Sequence, residues 1–204
     1  MKKLNEFNIV IAGIGGQGVL TLAFILAEAA LKQGYDVKTS ELHGLAQRGG
    51  AVSSHVRFGK KIYSSLVMEC EANLIIGLER LETLRACYYS SKENGTAIVF
   101  DTFSVVPILV SVFKEKYPSL EETEKILKEF SNKVYPLEAT EIAKKEIGNG
   151  IYSNILLLGY AFGLGLIPLE RKNLEEAIRE VIPEKYLNEN LKAFDLGIRK
   201  AKSS

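Results

Sequence analysis

Phe7-Asn8-Ile9-Val10-Ile11-Ala12-Gly13-Ile14-Gly15-Gly16-Gln17-Gly18 is the stretch that decides the fold. Six residues rich in β-formers run into glycines, which reads as a buried central strand ending in a tight turn. Val19 to Lys32 follows with little polarity, and Gly34 closes it as a helix stop. A glycine turn between a strand and a helix is the context in which G-x-G-x-x-G carries meaning. The glycines let the chain turn sharply and let a ligand approach the main chain. The unpaired amides of the first helical turn then favour an anion.

Working outward, Tyr35 to Ser40 reads as a second strand and Glu41 to Gly50 as a polar, glycine-rich loop. Ala51 to Phe58 alternates, with Ser53, His55 and Arg57 on one face and Val52, Val56 and Phe58 on the other. Gly59-Lys60-Lys61 reads as a turn and Ile62 to Val67 as the return strand of an antiparallel hairpin. Strands are expected at Ala72–Ile76, Thr96–Phe100 and Lys133–Leu137. Helices are expected around Leu78–Tyr88 and over Leu120–Phe130, Thr140–Ile147, Ile155–Leu166, Glu170–Val181 and Tyr186–Lys202, with Gly163 and Gly165 weakening the end of the apolar one. The alternation predicts a three-layer α/β/α domain: a mostly parallel sheet, mixed by one antiparallel hairpin. Residues 1–204 form one domain, with 1–167 the α/β core and 168–204 a helical extension.

Composition bounds the function. A formal charge of +1 argues against broad attraction to nucleic acid or membrane. Two cysteines, Cys70 and Cys87, are too few for a disulfide framework, a four-thiolate zinc site or an iron–sulfur cluster. With no signal-peptide pattern at Met1–Asn5, the chain reads as cytoplasmic. The apolar runs Val19–Ala27 and Ile155–Ile167 fall short of the ~18 residues a membrane span needs.

The loop Glu41-Leu42-His43-Gly44-Leu45-Ala46-Gln47-Arg48-Gly49-Gly50 belongs at the carboxyl edge of the sheet, beside the glycine turn. Gly13, Gly15, Gly16, Gln17 and Gly18 form the expected anion cradle, with Arg48 closing it through its planar fork of donors. Glu41 stands where dinucleotide enzymes keep a ribose-binding acid. Gln17 and the elaborate loop count against a standard dinucleotide site. Gln47, Gly49, Gly50, His55 and Arg57 complete the group expected to bind ligand or line a subunit interface. No nucleophile, acid–base pair or metal-ligand set is spaced for catalysis in this chain. His43 and His55 read as structural histidines, Asn154 as a helix cap, and Asp101 as a strand-end acid near the same edge.

Gly-Gly-Gln-Gly at 15–18, Gln-Arg-Gly-Gly at 47–50 and His-Val-Arg at 55–57 resemble the γ-type domain of 2-oxoacid:ferredoxin oxidoreductases. Gly148-Asn149-Gly150, Asn154-Ile155-Leu156-Leu157-Leu158-Gly159 and Asn190-Leu191-Lys192-Ala193-Phe194-Asp195-Leu196-Gly197 resemble its indolepyruvate branch. The likeness runs from about Asn8 to Gly197. It implies a non-autonomous subunit of a complex that decarboxylates a 2-oxoacid, transfers the acyl group to coenzyme A and reduces ferredoxin. Thiamine diphosphate, Mg2+ and 4Fe-4S clusters would lie in a large α subunit. Within that resemblance, γ subunits acting on pyruvate, 2-oxoisovalerate or 2-oxoglutarate are alternatives. Outside it stand a free-standing dinucleotide-dependent enzyme and a regulatory nucleotide-binding module.

Overall fold

The structure is a computed structural model that describes residues 4–44, 49–107, 110, 112–113 and 116–203. Among these, six strands form one sheet in the order β2-β3-β1-β4-β5-β6. They are β1 (Glu6–Ile14), β2 (Asp36–His43), β3 (Ala51–Gly59), β4 (Leu74–Gly77), β5 (Ala97–Asp101) and β6 (Lys133–Leu137). Only β3 is reversed. It pairs antiparallel with β1 on one side and β2 on the other, while β1-β4-β5-β6 are parallel.

This arrangement corrects the expected hairpin. The sheet is mixed, but β2 and β3 make the antiparallel pair, and Ile62–Val67 is not a strand. Side chains satisfy its backbone instead of a ladder. Asp36 accepts from the Ile62 amide at 2.8 Å, His55 Nδ1 from Val67 at 3.0 Å, and Arg57 donates to the Ser64 and Leu66 carbonyls at 3.0 and 2.9 Å.

Alternation along the strands feeds two cores. Ile9, Ile11, Leu74, Ile76 and Val99 face α1 (Val19–Lys32), α4 (Ala139–Ile147), α5 (Ser153–Gly163), α6 (Arg171–Val181) and α7 (Glu184–Ala201). Val10, Ala12, Ile75, Ile98 and Phe100 face α2 (Arg80–Ala86) and α3 (Leu120–Phe130). Leu174, Ala177, Ile178, Ala193 and Phe194 of the last two helices are fully buried in the first core. In α5 and α7 the backbones meet at glycines. A Cβ on Gly159 would lie 2.1 Å from the Phe194 carbonyl oxygen, and one on Gly197 would lie 2.1 Å from that of Leu156.

β1 is followed by a helix on one face and β4 by a helix on the other. Between their carboxyl ends the connections diverge, which opens a crevice at the sheet rim.

Candidate functional site

Gln17 bridges that crevice. Its Oε1 accepts from the Ile14 amide at 2.9 Å, and its Nε2 donates to the Leu78 carbonyl at 3.0 Å. The residue that looked foreign to a nucleotide turn is a strut between two strand ends. A Cβ on Gly13 would come within 2.8 Å of Gln17 Oε1, so the bare backbone there leaves room for the strut. Gln17→Ala removes two part-buried hydrogen bonds. The expected loss is about 1–3 kcal/mol, measured by urea unfolding at neutral pH.

The two glycine loops meet at this rim. Gly15 donates to the Gly50 carbonyl at 2.8 Å, and Gly49 donates to the Gly15 carbonyl at 3.1 Å. Gln47 and Arg48 lie outside the described residues, so the closing guanidinium is not located. Gly18 caps α1 in the left-handed region (φ 80°), which glycine adopts without strain, and α1 has no side-chain cap. Among the described residues the amides of Gly16, Gly18, Val19, Leu20 and Thr21 find no acceptor. They open on a cavity of about 540 Å³ that Glu41, His43 and Val52 also line. One end of the cavity therefore offers donors and the positive pole of α1, and the other offers a carboxylate. Asn154, buried at the start of α5, reaches Gly18 with its Nδ2 at 3.4 Å from the carbonyl, and a second cavity of about 260 Å³ opens behind it.

Two expected members of the group are elsewhere. β3 runs away from the rim, with Ala51 opposite Ile14 and Gly59 opposite Glu6. At ~3.3 Å per residue this puts Arg57 about 20 Å from the rim. There it ion-pairs with Glu6 and bonds Asn8 at 2.9 Å and the 64–66 carbonyls. His55 sits mid-strand, 1% exposed and edge-on to Tyr89. Burial, with the Arg57 charge adding to it, pushes its imidazole down to about 4. Asp101 also faces inward. It accepts from the Thr140 amide at 3.0 Å and from Thr140 Oγ1 at 2.5 Å, and burial raises it to about 6.

These two groups oppose each other in pH dependence. Below about 6.5 the unfolded chain protonates histidine before the folded one does, so His55 removes stability as pH falls toward 4. Asp101 takes up its proton first in the folded chain and returns stability as pH falls through about 6. His55→Asn keeps an acceptor for Val67 and has no titration. Its stability relative to wild type should rise by about 2–3 kcal/mol between pH 6.5 and 4. Denaturant midpoints across that range test it, and parallel curves would refute it.

The residues matched by a known family are now in place. Residues 8–200 match the family described as pyruvate ferredoxin/flavodoxin oxidoreductase. The chain belongs to that family. It is 41% identical over 199 residues to the indolepyruvate oxidoreductase subunit IorB of Pyrococcus horikoshii, covering 98% of each chain. It is 29% identical over 190 residues to the pyruvate/ketoisovalerate oxidoreductases common subunit gamma of Thermococcus kodakarensis, covering 92% of this chain and 93% of that one. Among solved structures it resembles 2-oxoglutarate:ferredoxin oxidoreductase of Magnetococcus marinus, bound to 2-oxoglutarate, coenzyme A and succinyl-CoA. The TM-score is 0.72 at 21% identity, over 98% of this chain and 32% of that one. That likeness speaks to the fold.

The described residues hold no set of side chains for an iron–sulfur cluster. No three His, Cys, Asp or Glu side chains converge among them. Cys87 is buried, with its thiol pushed up to about 11 by burial, and Cys70 is exposed. The two cysteines of the chain cannot supply the four thiolates of an iron–sulfur cluster. Sequence reasoning missed one feature of the rim, Gln17 as a strut. The position of Gln17 inside the turn was the available signal for it.

Proposed function

We propose that the chain is the small subunit of an indolepyruvate:ferredoxin oxidoreductase. The assembly would convert an aryl pyruvate and coenzyme A to an aryl-acetyl-CoA and CO2, passing two electrons to ferredoxin. Thiamine diphosphate would supply the decarboxylation chemistry, and clusters the electron path, both held by a large partner subunit. Residues 1–204 act as one γ-type unit, placed in the cytoplasm, and no described helix is long and apolar enough to cross a membrane.

The observation that carries the reading is the cluster of amides at the start of α1, unpaired among the described residues and facing Glu41 across one cavity. Amides and a helix pole bind the phosphates of an extended anionic co-substrate. Glu41 accepts from hydroxyl or amino groups further along it. Coenzyme A has both parts. Greater identity to an indolepyruvate subunit than to a pyruvate/ketoisovalerate γ subunit favours aryl pyruvates over those acids.

The test is co-expression with a large subunit of the indolepyruvate type, then viologen reduction with four 2-oxoacids. Indolepyruvate should give the highest kcat/KM, and the small chain alone should give no turnover. Oxidation of a 2-oxoacid by the isolated chain, or a preference for pyruvate, 2-oxoisovalerate or 2-oxoglutarate, would overturn the reading.

A further inference from the structure

The glycine turn is a partition between two cavities. Gly16, Gly18 and Thr21 line both the one that Glu41 closes and the smaller one, of about 260 Å³, behind Asn154. Three pieces of chain meet α1 to form the smaller cavity. They are the Gly150–Tyr152 turn before α5, the junction of α6 with α7, and the first turns of α7. Ile151, Val181, Ile182 and Pro183 give it apolar walls, and Tyr186 gives it an aromatic one. None of the described side chains that line it is charged.

Two polar groups are left open there. Asn190 is 6% exposed, and its Nδ2 donates to the Tyr186 carbonyl one helical turn back at 2.8 Å. Its Oδ1 has no donor among the described residues. Tyr152 is 8% exposed, and its hydroxyl has no partner among them either. Neither oxygen is sealed off, so each can meet a molecule in the cavity. Asn154 is different, because its Oδ1 accepts from the Ile155 amide at 2.8 Å and its Nδ2 faces the Gly18 carbonyl.

An open acceptor and an open hydroxyl in an uncharged, nearly buried cavity are costly until something pairs with them. Their complement is a flat neutral ring with an amino donor and a ring-nitrogen acceptor, which adenine presents on one edge. The Gly16 and Gly18 amides stand at the mouth, where they favour phosphate. The volume falls below the ~300–1,000 Å³ of a site for a whole drug-sized ligand, so it suits one end of a longer molecule.

We infer that the cavity behind Asn154 holds the adenine ring of the co-substrate, its phosphates on the α1 amides and its thiol-bearing arm running the other way, past Glu41. Asn190 Oδ1 accepts from the amino group, the Tyr152 hydroxyl donates to a ring nitrogen, and Tyr186 closes one wall. This rests on the reading that the α1 amides bind coenzyme A, and it adds which way round the molecule lies.

The experiment uses the enzyme assembled with its large subunit and two competitors of coenzyme A. Adenosine 3′,5′-bisphosphate carries the base, and 4′-phosphopantetheine lacks it. Tyr152→Phe deletes one oxygen, and Tyr186→Ala removes a ring that is 40% exposed, so neither empties the core. Circular dichroism establishes that each variant is folded. Tyr186→Ala should raise the KM for coenzyme A and the inhibition constant of the bisphosphate about 10-fold. Tyr152→Phe should raise both about 3- to 10-fold. Inhibition by 4′-phosphopantetheine should stay at the wild-type value in both. Weakened 4′-phosphopantetheine with unchanged bisphosphate would overturn the inference in favour of the opposite orientation. Bisphosphate that binds without competing with coenzyme A would overturn it in favour of a separate nucleotide site. Loss of the large subunit from both variants would overturn it in favour of a docking surface. Unchanged KM in both, alongside a raised KM in Thr21→Asp, would overturn it and leave the proposed function standing. Wild-type turnover that consumes no coenzyme A would remove both this inference and the function it rests on.

Discussion

Gly197→Ala should lower the unfolding temperature by about 6–12 °C, the shift that ~3 kcal/mol produces in a domain of this size. The new Cβ would sit 2.1 Å from the Leu156 carbonyl oxygen and 2.6 Å from the Tyr160 amide nitrogen. Both are backbone atoms inside α5, so neither can swing aside as a side-chain tip would. Relief requires α5 and α7 to separate, and the buried Ile155, Leu156, Ala193 and Phe194 between them lose contact together. Overpacking a tight core costs about 1–3 kcal/mol, and rigid backbone puts this site at the top of that range. Gly159→Ala meets the Phe194 carbonyl at the same distance and should behave alike. Gly165→Ala is the control. Its φ is 72°, but nothing lies within 4 Å of a Cβ there, so only the backbone cost of about 1–2 kcal/mol applies. Thermal scans of the three variants test the ranking. Equal losses at Gly165 and Gly197 would refute the close helix contact.

Thr21→Asp separates anion binding from stability, and it carries the largest expected effect on activity. Thr21 is the third residue of α1 and lines the cavity of the glycine turn. A carboxylate in the first turn favours the helix by about 0.3–1 kcal/mol. The same carboxylate opposes a bound phosphate by up to about 4 kcal/mol at 4 Å and an effective dielectric near 20. In the assembled enzyme the KM for coenzyme A should therefore rise about 100- to 1000-fold, while the urea midpoint stays level or increases. An unchanged KM would show that these amides do not hold the co-substrate.

Much of the core was legible because its signals are local. Phe7 to Gly18 specified a strand, a turn and a helix start, and the structure contains all three. Buried strand and helix runs such as Leu74–Gly77 and Ser153–Gly163 followed from apolar continuity. Ile62–Val67 looked like a strand because its composition is strand-like. Its partners are the side chains of Asp36, His55 and Arg57, which lie up to 26 positions away. The same contacts explain why Arg57 read as a site residue: a guanidinium bonding carbonyls is indistinguishable in sequence from one awaiting a phosphate. Gly159 was invisible as a contact residue, since its demand comes from a carbonyl on another helix. The meeting of Gly15 with Gly49 and Gly50 was expected from topology alone, because both loops were assigned to one sheet edge.

Reversing β3 changes the measure of the site. In the dinucleotide enzymes the acidic residue ends the strand next to the glycine turn. Here a whole strand is interleaved, and at ~4.8 Å per strand the gap from amides to Glu41 grows to about 10 Å. A motif search sees the same fingerprint in both cases, because the interleaved strand comes later in the chain than either element. The spacing is thus about twice the amide-to-acid distance of a dinucleotide site, and titration of the chain with NAD(H) should give no saturable signal.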